Sequence, residues 1–172
     1  HNLAYLLQYD TVYRVSHFDV HAEVHEDTKE QYLVIEGEKD MKVKVLQERD
    51  PALIPWGANE VDVVVESTGL FVAYDKASAH LKGGAKTVVI SAPAKKGEDA
   101  SVPGETILLG VNENKFGTTQ VTSNASCTTN ASSPVIAILD AAVGIEKAIL
   151  NTVHSYTASQ GIVDGPNKKD FR

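Results

Sequence analysis

Residues 61–69 have the sequence Val-Asp-Val-Val-Val-Glu-Ser-Thr-Gly, a nearly continuous apolar run that ends in small polar residues. Such a run is typical of a strand buried on both faces of a parallel sheet and followed by a turn into a helix. The same order recurs at residues 87–93 and at residues 120–130, where a long apolar helix pattern follows. Strands that alternate with helices predict an α/β fold whose mostly parallel sheet is covered on both faces.

The residues before this region have a different pattern. Leucines at helical spacing predict a helix over residues 2–9, and apolar residues that alternate with polar ones predict an antiparallel meander. The strands of that meander are predicted at residues 18–24, 32–35 and 41–45. Asp50 is expected to cap a short helix that begins at Pro51 and ends near Trp56.

The region after residue 69 completes the predicted sheet. A helix is expected up to Lys82, where Gly83-Gly84 ends it. Further strands are predicted at residues 87–90, 106–111, 120–122 and 148–154. The long helix after Cys127 is expected to turn four apolar side chains inward, those of Val135, Ile136, Leu139 and Val143.

The composition excludes several classes of protein. Of the 172 residues, 42% are hydrophobic and 23% are charged, which is typical of a soluble globular protein. No stretch approaches the roughly 20 apolar residues of a membrane span. Lys and Arg number 16 against 23 Asp and Glu, and the net charge of −7 argues against a nucleic-acid partner.

Metal binding is not predicted either. The chain has a single cysteine, so neither an intrachain disulfide nor a Cys-x-x-Cys metal site can form. His17, His21 and His25 recur at a spacing of four, but they lie in a segment that alternates like a strand rather than on a helix face.

Three predicted strands end in similar polar segments. These are residues 66–69, 91–93 and 123–127, which are rich in Ser, Thr and Gly. Ligands of open α/β sheets bind at the carboxyl ends of the strands, so the three segments together predict a ligand crevice. Turn formation and helix capping are the alternative explanation for any one of them.

Cys127 is the leading candidate for a reactive group. It stands where the long helix is expected to begin, and free N–H groups with the positive end of a helix dipole stabilise a thiolate. A buried apolar thiol is the alternative. His154 lies one predicted β-α-β crossover later, at the same edge of the sheet, so the two residues could form the thiol–imidazole pair of nucleophilic catalysis.

Residues 123–130 have the sequence Ser-Asn-Ala-Ser-Cys-Thr-Thr-Asn, which resembles the active-site signature of glyceraldehyde-3-phosphate dehydrogenases. The resemblance covers nearly the whole chain. It includes residues 47–51, 54–57, 66–69 with Phe71, 76–81, 83–86, 90–93, 110–112, 152–154 and 163–166.

This resemblance implies a Rossmann-like fold and a glycolytic oxidoreductase, a cytoplasmic homotetramer. Such an enzyme oxidises glyceraldehyde 3-phosphate with NAD, or with NADP, and inorganic phosphate to 1,3-bisphosphoglycerate. By resemblance Cys127 is the nucleophile that forms a hemithioacetal and a thioester, and His154 is the acid and base. The residues implied to bind phosphate are Ser126, Thr128 and Thr157, and those implied to bind the cofactor are Thr68, Gly69, Phe71 and Ser91.

The family pattern is present only in part. A Gly-x-Gly-x-x-Gly turn for the pyrophosphate does not occur in this sequence. We therefore expect an internal segment, with residues 1–126 forming a partial NAD(P)-binding domain and residues 127–172 the beginning of an α+β catalytic domain. By itself the segment is expected to be inactive.

Other functions remain open at this point. Erythrose-4-phosphate dehydrogenase shares the thiol and the histidine, and aspartate-semialdehyde dehydrogenase is a more distant alternative with similar acyl-enzyme chemistry. The third alternative applies to the 172-residue segment by itself, which would then be a non-catalytic module that only associates with intact subunits.

Overall fold

The computed structural model describes residues 2–157 and 160–161. The chain divides into two compact units, one made of residues up to Gln47 with those from Val153 onward, the other of Glu48–Thr152. The predicted division at residue 126 follows a different criterion, the family pattern, and it stays a prediction.

The first unit contains the antiparallel meander. Helix α1 spans Asn2–Gln8 and leads through a short hairpin of β1 (Tyr9–Asp10) and β2 (Arg14–Val15). Strands β3 (Asp19–Val24), β4 (Gln31–Glu36) and β5 (Met41–Val45) then form a three-stranded antiparallel sheet in that order. Helix α1 packs against β3. The predicted helix and the predicted meander are both confirmed.

The second unit contains a four-stranded parallel sheet. Its strands are β6 (Val63–Glu66), β7 (Thr87–Ile90), β8 (Glu105–Thr106) and β9 (Val121–Ser123). They are arranged in the order β6-β7-β9-β8, and every neighbouring pair is parallel. The α/β fold with a mostly parallel sheet and an antiparallel meander is therefore confirmed. The expected cover on both faces of the sheet is wrong at β6, because Val63 and Val65 are exposed while Val64 and Glu66 are buried.

The helices of this unit are short except for the last. α2 (Tyr74–Ala77) and α3 (Ala79–Lys82) follow β6, and α4 spans Cys127–Val143. The unit also contains 3₁₀ helices at Pro51–Leu53, Gly57–Asn59 and Glu113–Lys115. Asp50 caps the first of them as predicted, since its carboxylate accepts the N–H of Ala52 at 3.0 Å.

The core of the second unit lies between β7, β9 and α2. Val88, Ile90, Val121 and Ala77 are buried there. Partly buried apolar side chains from the segments after β6 and β7 pack around them: Val72, Tyr74, Leu81, Ala92 and Ala94.

The predicted strand over residues 106–111 is wrong beyond Thr106. The side chain of Asn112 takes up the backbone groups that a longer strand would pair. Its amide nitrogen donates to the Thr106 carbonyl at 2.9 Å, and its amide oxygen accepts the N–H of Leu108 at 2.7 Å. The chain therefore turns away from the sheet after two strand residues.

The predicted strand over residues 148–154 is also wrong. The described residues in that range have no regular structure, and Ile149 and Val153 are 97% and 99% exposed. A strand forms only where a neighbour pairs with its backbone, and no described residue does so here.

The apolar side of α4 differs from expectation in the same way. Val135, Ile136, Leu139 and Val143 are all exposed, and α4 has no buried residue. The prediction that these side chains turn inward is therefore wrong, because within the described residues nothing covers that face of the helix.

Candidate active site

The carboxyl ends of three neighbouring strands are joined by hydrogen bonds. The N–H and the hydroxyl of Ser91 donate to the Glu66 carbonyl at 3.0 and 3.2 Å. The Asn124 N–H donates to the Ile90 carbonyl at 2.9 Å, and the Ser123 hydroxyl donates to the Ala92 carbonyl at 2.7 Å. The three polar segments singled out in the sequence therefore lie together along one edge of the sheet.

Cys127 lies at the first position of α4, directly after this edge. Ser126 is the N-cap, with its hydroxyl oxygen accepting the Thr129 N–H at 3.0 Å. Residue Ala125 adopts a left-handed backbone (φ 57°), and its N–H donates to the Ser123 hydroxyl at 3.1 Å. This turn brings the chain from β9 into the helix so that the cysteine is exposed.

The position of Cys127 has a chemical consequence. The first turn of a helix has backbone N–H groups without partners in the helix, and the helix dipole is positive there. Both features favour negative charge on a sulfur at the helix start. The sequence prediction that the cysteine begins a helix is confirmed, and the alternative of a buried apolar thiol is wrong.

His154 lies in the other compact unit. Its side chain is exposed, and Nδ1 lies 2.6 Å from the backbone oxygen of Ser155. A carbonyl oxygen can only accept, so in the neutral imidazole Nδ1 carries the proton and Nε2 carries the lone pair. That tautomer is the one a base acting through Nε2 requires, while pairing with Cys127 stays a prediction.

The three predicted phosphate-binding residues are divided between the two units. Ser126 and Thr128 lie half-buried at the start of α4, where the Ser126 hydroxyl also lies 2.7 Å from Thr129 Oγ1. Thr157 is exposed in the first unit, and its N–H donates to Gln160 Oε1 at 2.6 Å.

The four predicted cofactor-side residues all belong to the second unit. Thr68, Gly69 and Phe71 follow β6, and Ser91 follows β7. Gly69 has a left-handed backbone (φ 75°), and a Cβ built there would meet no atom within 4 Å. Leu70 beside it is 74% exposed, so an apolar side chain and an open turn stand at the edge of the sheet.

A buried polar network lies directly beneath this turn. Glu66, the last residue of β6, is 3% exposed, and His80 of α3 is 5% exposed. His80 Nε2 lies 2.8 Å from Glu66 Oε2, and Trp56 Nε1 donates to His80 Nδ1 at 3.1 Å. The other carboxylate oxygen of Glu66 accepts the Thr68 N–H at 2.8 Å and also the Thr68 hydroxyl.

The network sets the charge state of Glu66. Burial by itself would raise the pKa of Glu66, but the hydrogen bonds from Thr68 and His80 outweigh it and hold the pKa below its ordinary value of 4.5. This network was not among the features predicted from the sequence. The available signal was an ionisable residue that ends an apolar strand, which needs a buried partner.

Among the described residues, no three His, Cys, Asp or Glu side chains are grouped so that they could hold a metal ion. None of the helices in the described ranges combines the length and the apolar character needed to cross a membrane.

A parallel sheet with polar segments along its carboxyl edge, and a cysteine at the start of the next helix, defines an α/β protein of the Rossmann-like class. Two family models match this chain. The NAD binding domain of glyceraldehyde 3-phosphate dehydrogenase matches residues 1–74, and the C-terminal domain of the same family matches residues 126–172. The chain belongs to the glyceraldehyde-3-phosphate dehydrogenase family.

Individual relatives agree with this assignment. Glyceraldehyde-3-phosphate dehydrogenase 2 of Kluyveromyces marxianus is 45% identical over 169 residues, which cover 98% of this chain and 46% of the relative. Glyceraldehyde-3-phosphate dehydrogenase 1 of Schizosaccharomyces pombe is 46% identical over 171 residues, 99% of this chain and 46% of the relative. The enzyme of Scenedesmus vacuolatus named as cytosolic is 45% identical over 172 residues, 99% of this chain and 50% of the relative. The chain thus spans about half the length of the relatives that it matches.

Proposed function

We propose that the protein containing this chain is a phosphorylating glyceraldehyde-3-phosphate dehydrogenase. The observation that carries the proposal is Cys127, the sole cysteine, exposed at the first position of α4 beside the polar edge of a parallel sheet. A thiolate in that position is suited to attack the carbonyl carbon of an aldehyde.

The reaction follows from the chemistry of that thiol. Cys127 Sγ bonds to the aldehyde carbon, and the carbonyl oxygen takes a proton to give a hemithioacetal. His154 then removes this proton through Nε2 while a hydride leaves the same carbon, which gives a thioester. An oxygen of inorganic phosphate attacks the thioester carbon, Sγ leaves as thiolate, and 1,3-bisphosphoglycerate is released.

The hydride acceptor in this proposal is NAD, with NADP as the alternative, and its role is to accept that hydride. The residues after β6 fit its adenosine half. Leu70 offers an exposed apolar surface for a base, Gly69 leaves open space, and Thr68 offers a hydroxyl group. Ser91, which follows β7, is assigned to the nicotinamide side.

Phosphate binding is assigned to the start of α4 and to the loop after His154. Ser126 and Thr128 lie in or beside the first turn of the helix, where backbone N–H groups favour an anion. Thr157 is the third residue of the proposed set.

The proposal extends to the protein as a whole. The boundary between the cofactor domain and the catalytic domain is placed at residues 126 and 127, and the active form is a cytoplasmic homotetramer. Because the pyrophosphate turn is absent from the sequence of this chain, the 172 residues by themselves do not turn over substrate.

The experiment measures NADH formation by the protein that contains this chain, with glyceraldehyde 3-phosphate, NAD and inorganic phosphate. Replacing Cys127→Ser is expected to abolish NADH formation, because a hydroxyl at this position is a far weaker nucleophile than a thiolate. Ala131→Ser, an exposed position one turn later on the same helix, is the matched control and should keep full activity. Undiminished NADH formation by the Cys127→Ser protein would sink the proposal.

A further inference from the structure

We propose that Glu66, held in place by His80, is a positioning residue for the dinucleotide, because it shapes the turn at Thr68–Phe71 on which the adenosine half binds. The inference rests on the proposed function, in that it assumes a dinucleotide at this edge of the sheet. It adds residues that lie behind the binding surface and do not touch the cofactor.

The two carboxylate oxygens of Glu66 have different hydrogen-bond partners. Oε1 accepts both the N–H and the hydroxyl of Thr68, while Oε2 faces His80 Nε2 at 2.8 Å. One carboxylate therefore connects helix α3 to the turn that follows β6. The side chains of Glu66 and His80 are both buried, so water does not compete for the hydrogen bond between them.

The hydrogen-bond partners of His80 define its tautomer. An indole N–H can only donate, so His80 Nδ1 accepts from Trp56, and in the neutral ring Nε2 carries the hydrogen that Glu66 Oε2 accepts. The Phe71 ring stands edge-on to His80 with the ring centroids 6.4 Å apart. The imidazole thus contacts Phe71 directly and Thr68 through Glu66.

The hydroxyl of Thr68 can accept one further hydrogen bond. Its hydroxyl donates to Glu66 and accepts the Leu70 N–H at 3.1 Å. A hydroxyl has one hydrogen and two lone pairs, so one lone pair remains for a ligand. Thr68 is therefore set to accept a hydrogen bond, and its partner on the cofactor is a donor such as a ribose hydroxyl or the adenine amino group.

A purely structural role is the competing explanation. Well-packed apolar residues can replace buried charged groups in many proteins without loss of stability, so stability alone gives no reason for the negative charge of Glu66. The two explanations differ in one observable, the affinity for the dinucleotide.

The test uses the protein that contains this chain, with NAD affinity measured by equilibrium titration. His80→Leu should raise the Kd for NAD about tenfold, which corresponds to about 1.4 kcal/mol. His80→Gln keeps an N–H donor that reaches Glu66 and should restore most of the affinity. His17→Leu, at an exposed position in the other unit, is the matched control and should leave the Kd unchanged.

Kinetics provide a second readout. In His80→Leu the KM for NAD should rise, whereas kcat at saturating NAD and the KM for the aldehyde should stay the same. A merely structural role would lower the melting temperature without this split. If His80→Leu does not fold, Glu66→Gln replaces it, because the amide of Gln cannot accept from both His80 and Thr68.

Two results would overturn the proposal: an unchanged Kd in a folded His80→Leu or Glu66→Gln protein, or a His80→Gln protein as weak as His80→Leu. The titration needs no turnover, so it decides this inference even if the Cys127→Ser experiment overturns the dehydrogenase function. Failure of the unaltered protein to bind NAD would instead refute the cofactor part of the proposed function and this inference with it.

Discussion

The side-chain amide of Asn130 donates to the backbone oxygen of Asn124 at 2.7 Å, and the same nitrogen lies 2.9 Å from the backbone oxygen of Ser126. One amide group therefore ties the first turn of α4 to the residue that follows β9. Cys127 lies in the segment between Asn124 and Asn130, so its position depends on this connection.

Replacing Asn130→Leu removes both hydrogen bonds and is expected to loosen the start of α4. The unfolding free energy should fall by about 1–2 kcal/mol, since an intramolecular hydrogen bond has a net contribution of about 1 kcal/mol and two are lost. Alkylation of Cys127 by iodoacetamide at neutral pH should become slower, because the N–H groups that stabilise the thiolate are less well ordered. Asn151→Leu, at an exposed position outside regular structure, should change neither quantity. Alkylation at the unaltered rate would contradict the role given to Asn130.

Ser126→Ala should destabilise the protein by about 1 kcal/mol through loss of the helix cap. Ser126→Asp keeps a side-chain oxygen for the Thr129 N–H and should retain most of the stability. Denaturant midpoints of the three proteins provide the comparison. Equal midpoints for Ser126→Ala and the unaltered protein would show that the cap contributes nothing.

Glu66 predicts a particular dependence of stability on pH. Its pKa is lower in the folded protein than the ordinary value of 4.5, so the unfolded state binds more protons and unfolding becomes easier as the pH falls. This contribution is complete above pH 4.5 and is lost as the pH falls through the lower, folded pKa. Melting temperatures measured downward from pH 6 should decline less steeply in Glu66→Gln than in the unaltered protein. Parallel curves would refute the prediction.

Gly83 should tolerate no side chain. A Cβ there would overlap the backbone oxygen of Ile54 and stand 2.9 Å from Trp56 Cδ1, so Gly83→Ala is expected to cost about 1–3 kcal/mol. Gly117 is the contrast, because its φ is 81° but a Cβ would meet no atom within 4 Å. Gly117→Ala should cost only the left-handed backbone term, about 1–2 kcal/mol, and leave Trp56 fluorescence unchanged. Gly83→Ala should shift that fluorescence, and an unshifted spectrum would count against close packing at this position.

The aldehyde preference separates the proposed enzyme from its nearest alternative. We expect kcat/KM for glyceraldehyde 3-phosphate to exceed that for erythrose 4-phosphate by about tenfold or more, the discrimination that one extra carbon unit allows in a fitted pocket. Steady-state NADH formation with each aldehyde gives the ratio. A reversed ratio would identify the protein as an erythrose-4-phosphate dehydrogenase.

Local patterns were sufficient wherever a structural element depends on its own residues. The start of α4 was predictable because Ser126 caps the helix within four residues of Cys127. The parallel sheet was predictable because residues 61–69 and 87–93 are apolar runs that end in small polar residues. These two predictions together located the polar edge of the sheet.

Features that depend on distant partners were not predictable in this way. Residues 148–154 have the composition of a strand, yet a strand also needs a neighbour, which no pattern within those residues specifies. His80 is 14 residues from Glu66 and 24 residues from Trp56 along the chain, and only the folded structure shows that they share hydrogen bonds. The amphipathic pattern of α4 likewise identifies an apolar face without showing what covers it.

Among the residues that the structure describes, strand β6 is at one end of the parallel sheet, and its Val63 and Val65 are 54% and 61% exposed. An outermost strand with unpaired backbone groups and apolar side chains can act as a template for a strand from another molecule. Production of this 172-residue chain by itself should therefore favour self-association, and a solubilising substitution such as Val65→Lys should reduce it.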